Sequence, residues 1–189
     1  MLAKGGSHRF RRFIGMVHQA EGRPETAEQA YRQALAIFTQ EGNVRGQAHS
    51  LHQLGNVYAN VPARLRDAAC FYRQAADKFV SIGDLANEGE GRSNLADTLR
   101  QLNEDEAQAE IRRAIECKEP FGHGAEPWKT WDILRKIETA AGKPAAATQA
   151  RRRALELYLA YRRDGGGNDS PAGRLCHVVT ACLLSGTTN

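Results

Sequence analysis

The sequence lacks any apolar run long enough to cross a membrane. A spanning helix needs about twenty consecutive, mostly apolar residues, and no stretch of the 189-residue chain provides them. The residues after Met1 also lack the apolar segment of a secretory signal. We therefore predict a protein without membrane association that resides in the cytoplasm.

Strand-like alternation of apolar and polar residues is also missing, which argues against β-sheet. Aromatic residues make up only 7% of the chain, whereas alanine is frequent. This composition is typical of helical proteins whose helices touch through small side chains. The sequence therefore predicts an all-α fold.

Motifs for catalysis or metal binding are absent as well. There is no phosphate-binding Gly-x4-Gly-Lys-Ser/Thr, no paired carboxylates and no Ser-His-Asp or Cys-His set in a motif context. His49 and His52 have no third metal ligand nearby in the sequence. The cysteines have no zinc or redox spacing, and we expect them to be buried small apolar residues: Cys70, Cys117, Cys176 and Cys182. We predict no enzyme activity, no cofactor and no metal site.

Charge of one sign is not concentrated in any segment. The chain has 26 basic and 22 acidic residues, with a net charge of +4. A dedicated nucleic-acid-binding protein would show a clustered basic stripe, and here acidic residues are interspersed. Nucleic-acid binding through the basic surface is therefore the alternative that we favour least.

What the chain does contain is a repeat of close to forty residues. Two alanines seven positions apart recur four times, at offsets of 41, 39 and 40 residues: Ala27 and Ala34, Ala68 and Ala75, Ala107 and Ala114, Ala147 and Ala154. Self-similarity at a fixed period indicates stacked supersecondary units. We predict four helix pairs at about residues 7–42, 43–83, 84–124 and 125–163.

Outside these pairs we predict a disordered N-terminus at 1–6, a glycine-rich linker at 164–170, a helix at 171–184 and a tail at 185–189. The predicted helix has one apolar stripe, formed by Leu175, Val178, Val179, Cys182 and Leu183. Because the last unit of a solenoid needs its apolar face covered, we interpret 171–184 as a capping helix. The alternative is a further repeat that is cut short.

The second pair has the pattern Leu51-x2-Leu54-Gly55-x2-Tyr58, followed by Ala68-x3-Tyr72-x2-Ala75. This pattern resembles the tetratricopeptide repeat signature. The longer period resembles the repeat type of kinesin light chains and bacterial signalling proteins. The resemblance implies a right-handed α-solenoid of four antiparallel helix pairs, in which the small residues let paired helices approach closely.

The resemblance also implies a concave groove lined by the first helix of each pair. The positions that it selects are almost all polar: Arg9, Arg12, Met16, Gln19, His49, His52, Asn56, Asn60, Glu90, Ser93, Asp97, Arg100, Lys129, Asp132 and Lys136. Within each helix they are spaced by three or four residues, so each set forms one stripe. A solvated helix face is the alternative explanation of such a stripe.

From this resemblance we expect a non-catalytic bacterial adaptor that binds a peptide or protein segment in the groove. The main alternative is the C-terminal sensor or regulatory module of a larger bacterial NTPase or transcriptional regulator, which would act within a larger signalling assembly.

Overall fold

Eight α-helices follow one another between residues 7 and 164, the part of the chain that the computed structural model describes. They are α1 Ser7–Ala20, α2 Pro24–Gln40, α3 Val44–Ala59, α4 Leu65–Ser81, α5 Leu85–Gln101, α6 Ala107–Lys118, α7 Pro127–Ala140 and α8 Pro144–Arg163. Short 3-10 helices occur at Pro62–Arg64 and Glu119–Ala125. No strand occurs among these residues, and the predicted all-α fold is confirmed. Side chains are described from Arg12 onward.

Local signals explain where these helices begin. Pro24, Pro127 and Pro144 are the first residues of α2, α7 and α8, where the missing N–H leaves no helical hydrogen bond unmade. Asn43 and Asp84 cap α3 and α5, because their side-chain oxygens accept hydrogen bonds from the backbone N–H groups three residues later. The pairing of helices is thus encoded in the turns.

The turn that closes α1 and the turn that closes α7 have the same form. Gly22 and Gly142 lie just after these helices with φ of 71° and 68°, a left-handed conformation that glycine adopts without steric cost. The turn after α5 has Asn103 with φ of 57° instead. Asparagine is one of the few other residues that tolerate this region.

The chain divides into two compact units, residues 1–117 and 118–189. In the first unit, α1 packs on α2, α2 on α3, α3 on α4 and α4 on α5. The repeated alanines lie at these contacts with 0% exposure: Ala27, Ala34, Ala68 and Ala75. Small side chains at such positions allow close-packed helix contacts.

Glycines bring α1 against α2 and α3 against α4 even more closely. A Cβ atom added at Gly15 would lie 2.6 Å from the Tyr31 ring, and one at Gly55 would lie 2.6 Å from the Tyr72 ring. The two pairs therefore use the same glycine–tyrosine contact, and this contact fixes their common register.

In the second unit, α7 packs on α8. Ala147, Ala150 and Ala154 of α8 are buried. Trp128 of α7 has its ring centroid 6.0 Å from that of Tyr158 and 4.5 Å from that of Tyr161. Aromatic contacts thus supplement the alanine contacts in this pair.

One expectation about the cysteines is wrong. Cys117 is buried as predicted, but Cys70 is exposed on α4, because it lies on the exposed stripe of this helix with Arg66, Arg73 and Gln74. Cys176 and Cys182 lie outside the described residues, as do the predicted N-terminus 1–6, linker residues 165–170, capping helix 171–184 and tail 185–189. Between residues 7 and 164, no helix has the length and apolar character that crossing a membrane requires.

Candidate functional site

The first helices of three successive pairs bring polar side chains to one shared face of the first unit. Asn94 Nδ2 of α5 lies 3.0 Å from His52 Nε2 of α3. Burial, and then the charge of Arg12 in α1, lower the pKa of His49 in α3. The His52–Asn94 contact places α3 beside α5, and the effect on His49 places Arg12 within electrostatic range of α3. We call the surface that these three helices present the first-helix face, and it includes these side chains: Arg12, Phe13, Met16, His49, Gln53, Asn56, Glu90, Asn94 and Asp97.

Hydrogen bonds hold Asn56 in a fixed orientation on this face. The Tyr72 hydroxyl of α4 donates to Asn56 Oδ1 over 2.7 Å, and Asn56 Nδ2 donates to Gln53 Oε1 over 3.1 Å. Asn60 Nδ2 in turn donates to the Asn56 carbonyl oxygen over 2.9 Å. The amide groups are therefore preorganised before any ligand arrives.

Both histidines of α3 favour the neutral form. Burial lowers the pKa of His52 as it does that of His49. Because the Asn94 amide nitrogen is a donor, neutral His52 accepts its hydrogen at Nε2. The rings also pack against aromatic residues of α4, with centroid distances of 5.1 Å between His49 and Phe79 and 5.5 Å between His52 and Tyr72.

The charge of the first-helix face changes from α1 to α5. Arg12 is the basic group on α1, while Glu90 and Asp97 lie on α5. Burial, followed by the charges of Asp97 and Glu90, raises the pKa of Tyr72, so both carboxylates lie within electrostatic range of this residue. Asp97 accepts a hydrogen bond from Arg100 Nε over 2.8 Å. A bound segment would experience a basic end and a more acidic end.

Comparison with known proteins agrees with this architecture. Residues 9–79, which cover most of α1 to α4, match the family model of the tetratricopeptide repeat. Over these residues the chain is similar to tetratricopeptide repeats. The resemblance predicted from the sequence is therefore confirmed. No curated protein sequence matches the chain.

Among solved structures, that of BtubC (BKLC) from P. vanneervenii is similar to this chain, with a TM-score of 0.75 and 20% sequence identity. The match covers 87% of this chain and 66% of that one, so the chain spans slightly less than two thirds of that protein's length. At this identity, the similarity shows the tetratricopeptide-type fold alone.

Most of the predicted groove residues of the first three repeats reach the surface. Met16, Asn60 and Glu90 are exposed, and the half-buried ones are Arg12, Gln19, His49, Asn56, Asp97 and Arg100. Gln19 Oε1 accepts a hydrogen bond from the Tyr31 hydroxyl over 3.1 Å. The side chain of Arg9 lies outside the described residues.

Two predicted groove residues are not available to a partner. His52 is 7% exposed and Ser93 is 4% exposed. His52 is covered because it lies against Tyr72 and Asn94, and the Ser93 hydroxyl donates to the Gly89 carbonyl oxygen within its own helix over 2.8 Å. We therefore correct their role to that of residues that support the first-helix face from below.

The predicted groove residues of the fourth repeat belong to the second unit. Asp132 pairs with Arg135 at 2.8 Å and with Lys136 at 3.1 Å, and Lys129 pairs with Glu126. Ion pairs thus connect all three predicted groove residues of this repeat to neighbours on or next to α7: Lys129, Asp132 and Lys136.

Sequence reasoning missed Phe13, Gln53 and Asn94. Phe13 is 60% exposed, and it precedes Gly15 by two residues just as Gln53 precedes Gly55. Because Gly15 and Gly55 make the same contact with a tyrosine, Phe13 and Gln53 occupy equivalent places in their repeats. The glycine register was the signal that could have identified them.

Among the residues described, no three His, Cys, Asp or Glu side chains are grouped so that they could hold a metal ion.

Proposed function

We propose that the protein is a non-catalytic scaffold that binds a peptide or protein segment on its first-helix face. The observation that supports this most strongly is the preorganised set of amide and imidazole groups around Asn56 and Asn94, together with the exposed side chains of Phe13 and Met16 on α1. Tetratricopeptide repeats generally mediate protein–protein interactions. A cytoplasmic, bacterial setting, suggested by the sequence, is part of this proposal.

Each part of the face would contribute differently to binding. Phe13 and Met16, which are 60% and 48% exposed, would gain from covering an apolar side chain of the ligand. The amides of Gln53 and Asn56 offer donors and acceptors to a ligand backbone. Glu90 and Asp97 favour a basic group at the α5 end, which fixes the direction of the bound segment.

Site-specific photo-crosslinking tests this proposal. A photoreactive phenylalanine analogue placed at position 13 should capture the partner, while the same analogue at Val80, which is 48% exposed on α4, should not. The captured segment, identified by mass spectrometry and synthesised as a peptide, should compete for the crosslink at position 13.

Binding of that peptide to charge variants provides the control. We expect Glu90→Lys to weaken binding by about tenfold, equivalent to roughly 1.4 kcal/mol, because it reverses charge on the face. Glu104→Lys makes the same charge change at an exposed position after α5 and should leave affinity within about twofold. Equal weakening by both variants, or equal capture from positions 13 and 80, would contradict the proposed face.

A further inference from the structure

A cavity of about 420 Å³ is present in the second unit. It is lined by Trp131 from α7 and by Gln149, Arg152, Arg153 and Glu156 from α8. Cavities of about 300–1,000 Å³ are typical of small ligand sites. This one has room for a large side chain but not for a folded segment.

The four α8 residues of the cavity are not needed for packing against α7. Their spacing of three, four and seven residues from Gln149 places them on one stripe of the helix. The contact with α7 instead uses the other side of α8, where Ala147, Ala150 and Ala154 are buried. The polar stripe is therefore open to a ligand.

The guanidinium groups on this stripe are weakly engaged. The side chains of Arg152 and Arg153 are 83% and 53% exposed, and each lies 3.4 Å from a Glu156 carboxylate oxygen. Exposed ion pairs of this kind contribute little to stability. A ligand carboxylate can therefore replace Glu156 as their partner at small cost.

Charge is distributed unevenly between the two units. Residues 118–189 include eleven basic and seven acidic residues, a net charge of +4, whereas residues 1–117 include fifteen of each, a net charge of zero. An acidic partner is therefore attracted more strongly to the second unit than to the first.

Trp131 provides an aromatic surface in this basic setting. It precedes Leu134 by three residues, as Leu51 precedes Leu54 in the second pair, but Leu51 is only 3% exposed and Trp131 is half-buried. A partly open indole offers a ring for stacking or edge-to-face contact, worth about 0.5–1.5 kcal/mol beyond area burial.

We propose that this cavity binds an acidic protein segment through one aromatic side chain. The aromatic ring packs on Trp131, and carboxylates that flank it pair with Arg152 and Arg153, a combination that charge-assisted hydrogen bonds make specific. Single-stranded nucleic acid is the weaker candidate, because Trp131 is the one aromatic residue among those that line the cavity, whereas a run of bases stacks on several aromatic rings.

The probe is a fluorescein-labelled peptide with one phenylalanine between runs of glutamate, titrated with the full chain and followed by anisotropy. We expect Arg152→Glu/Arg153→Glu to weaken binding by about tenfold or more. The matched control is Arg162→Glu/Arg163→Glu, which makes the same charge change at two exposed residues of the same helix and should have an effect of less than about threefold. Glu156→Gln should tighten binding, because it removes the competing carboxylate.

Three further measurements complete the test. Replacing the peptide phenylalanine by alanine should weaken binding by about tenfold, and peptide binding should change Trp131 emission in the parent but not in Trp131→Phe. Circular dichroism shows whether each variant is folded. If both double-arginine variants lost the same amount of peptide affinity, or if replacing the peptide phenylalanine had no effect, the interaction would be general charge attraction. Either result would overturn the proposal. Preference for a single-stranded RNA oligonucleotide over the peptide would overturn it as well.

Discussion

At the scale of single residues, the closest helix contacts depend on the absence of a side chain. A Cβ atom at Gly55 would meet the Tyr72 ring at 2.6 Å, and Tyr72 also holds Asn56 by a hydrogen bond. Gly91 in α5 differs, because its added Cβ would be 3.8 Å from the nearest atoms of Ala76. Substitution by alanine should therefore change stability in opposite directions at these two glycines.

We predict that Gly55→Ala destabilises the protein by about 1–3 kcal/mol, because the methyl group forces Tyr72 out of its place. Gly91→Ala should instead stabilise it by about 0.5–1 kcal/mol, since alanine is the better helix former and meets no obstacle. Urea denaturation followed by circular dichroism measures both. A stabilising Gly55→Ala would show that Tyr72 has room to move.

The burial of individual site residues could be predicted only in part. Spacing by three or four residues correctly places His49, His52 and Asn56 along one side of α3, because helix periodicity is a local property. Whether a side chain on that side reaches solvent depends on neighbouring helices. His52 meets Asn94 from α5 and becomes buried, and no property of the α3 sequence contains that information.

At the scale of helical elements, a buried carboxylate joins α5 to α6. Glu88 in α5 is 2% exposed, and its Oε1 accepts hydrogen bonds from Arg92 Nε at 2.9 Å and from Arg113 Nε of α6 at 3.0 Å. Arg92 also donates to Glu110 of α6 over 2.6 Å. Burial would raise the pKa of Glu88, but hydrogen bonds from Arg113, Arg92 and Cys117 outweigh it and lower the pKa.

This network gives the third helix pair an acid-sensitive contact. Because the pKa of Glu88 is lower in the folded state than its ordinary value of 4.5, its contribution to stability is present above that pH and is lost as the pH falls through the folded value. We predict that Glu88→Gln costs about 1–3 kcal/mol at pH 7 and that this difference shrinks as the pH is lowered from about 5 to about 3.

Chemical denaturation across this pH range measures the difference. Glu116→Gln is the control, because Glu116 is 65% exposed and pairs with the same Arg113 at 3.3 Å, so its effect should stay below about 0.5 kcal/mol. If Glu88→Gln lowered the free energy of unfolding equally at pH 3 and pH 7, the carboxylate charge of Glu88 would contribute nothing to stability.

Several helix starts follow from local signals in the sequence. Pro24, Pro127 and Pro144 each begin a helix. At another such proline, residues Pro62–Arg64 instead form a 3-10 turn before α4 begins at Leu65, since a proline fixes φ without choosing between the two helix types. The Glu88 network joins residues 25 positions apart, so sequence periodicity gave no sign of it.

At the scale of the whole molecule, the repeats form two compact units, residues 1–117 and residues 118–189. Both tryptophans, Trp128 and Trp131, belong to the second unit, so tryptophan emission reports unfolding of that unit, whereas circular dichroism reports helix loss throughout. Since stability in repeat proteins is carried by contacts between neighbouring repeats, a lesion in the first unit should affect the two signals unequally.

Ala75→Leu provides such a lesion. Ala75 is 0% exposed and packs with Ala48, Leu51 and Phe79, so the larger side chain should overpack the contact between α3 and α4 at a cost of about 1–3 kcal/mol. We predict a lower denaturation midpoint by circular dichroism and a smaller shift of the midpoint by tryptophan emission. Ala36→Leu, at an exposed position of α2, should move neither midpoint. If Ala75→Leu displaced both signals equally, the two units would unfold as one cooperative body, and an unchanged midpoint in both would mean that the alanine contact does not limit the approach of the paired helices.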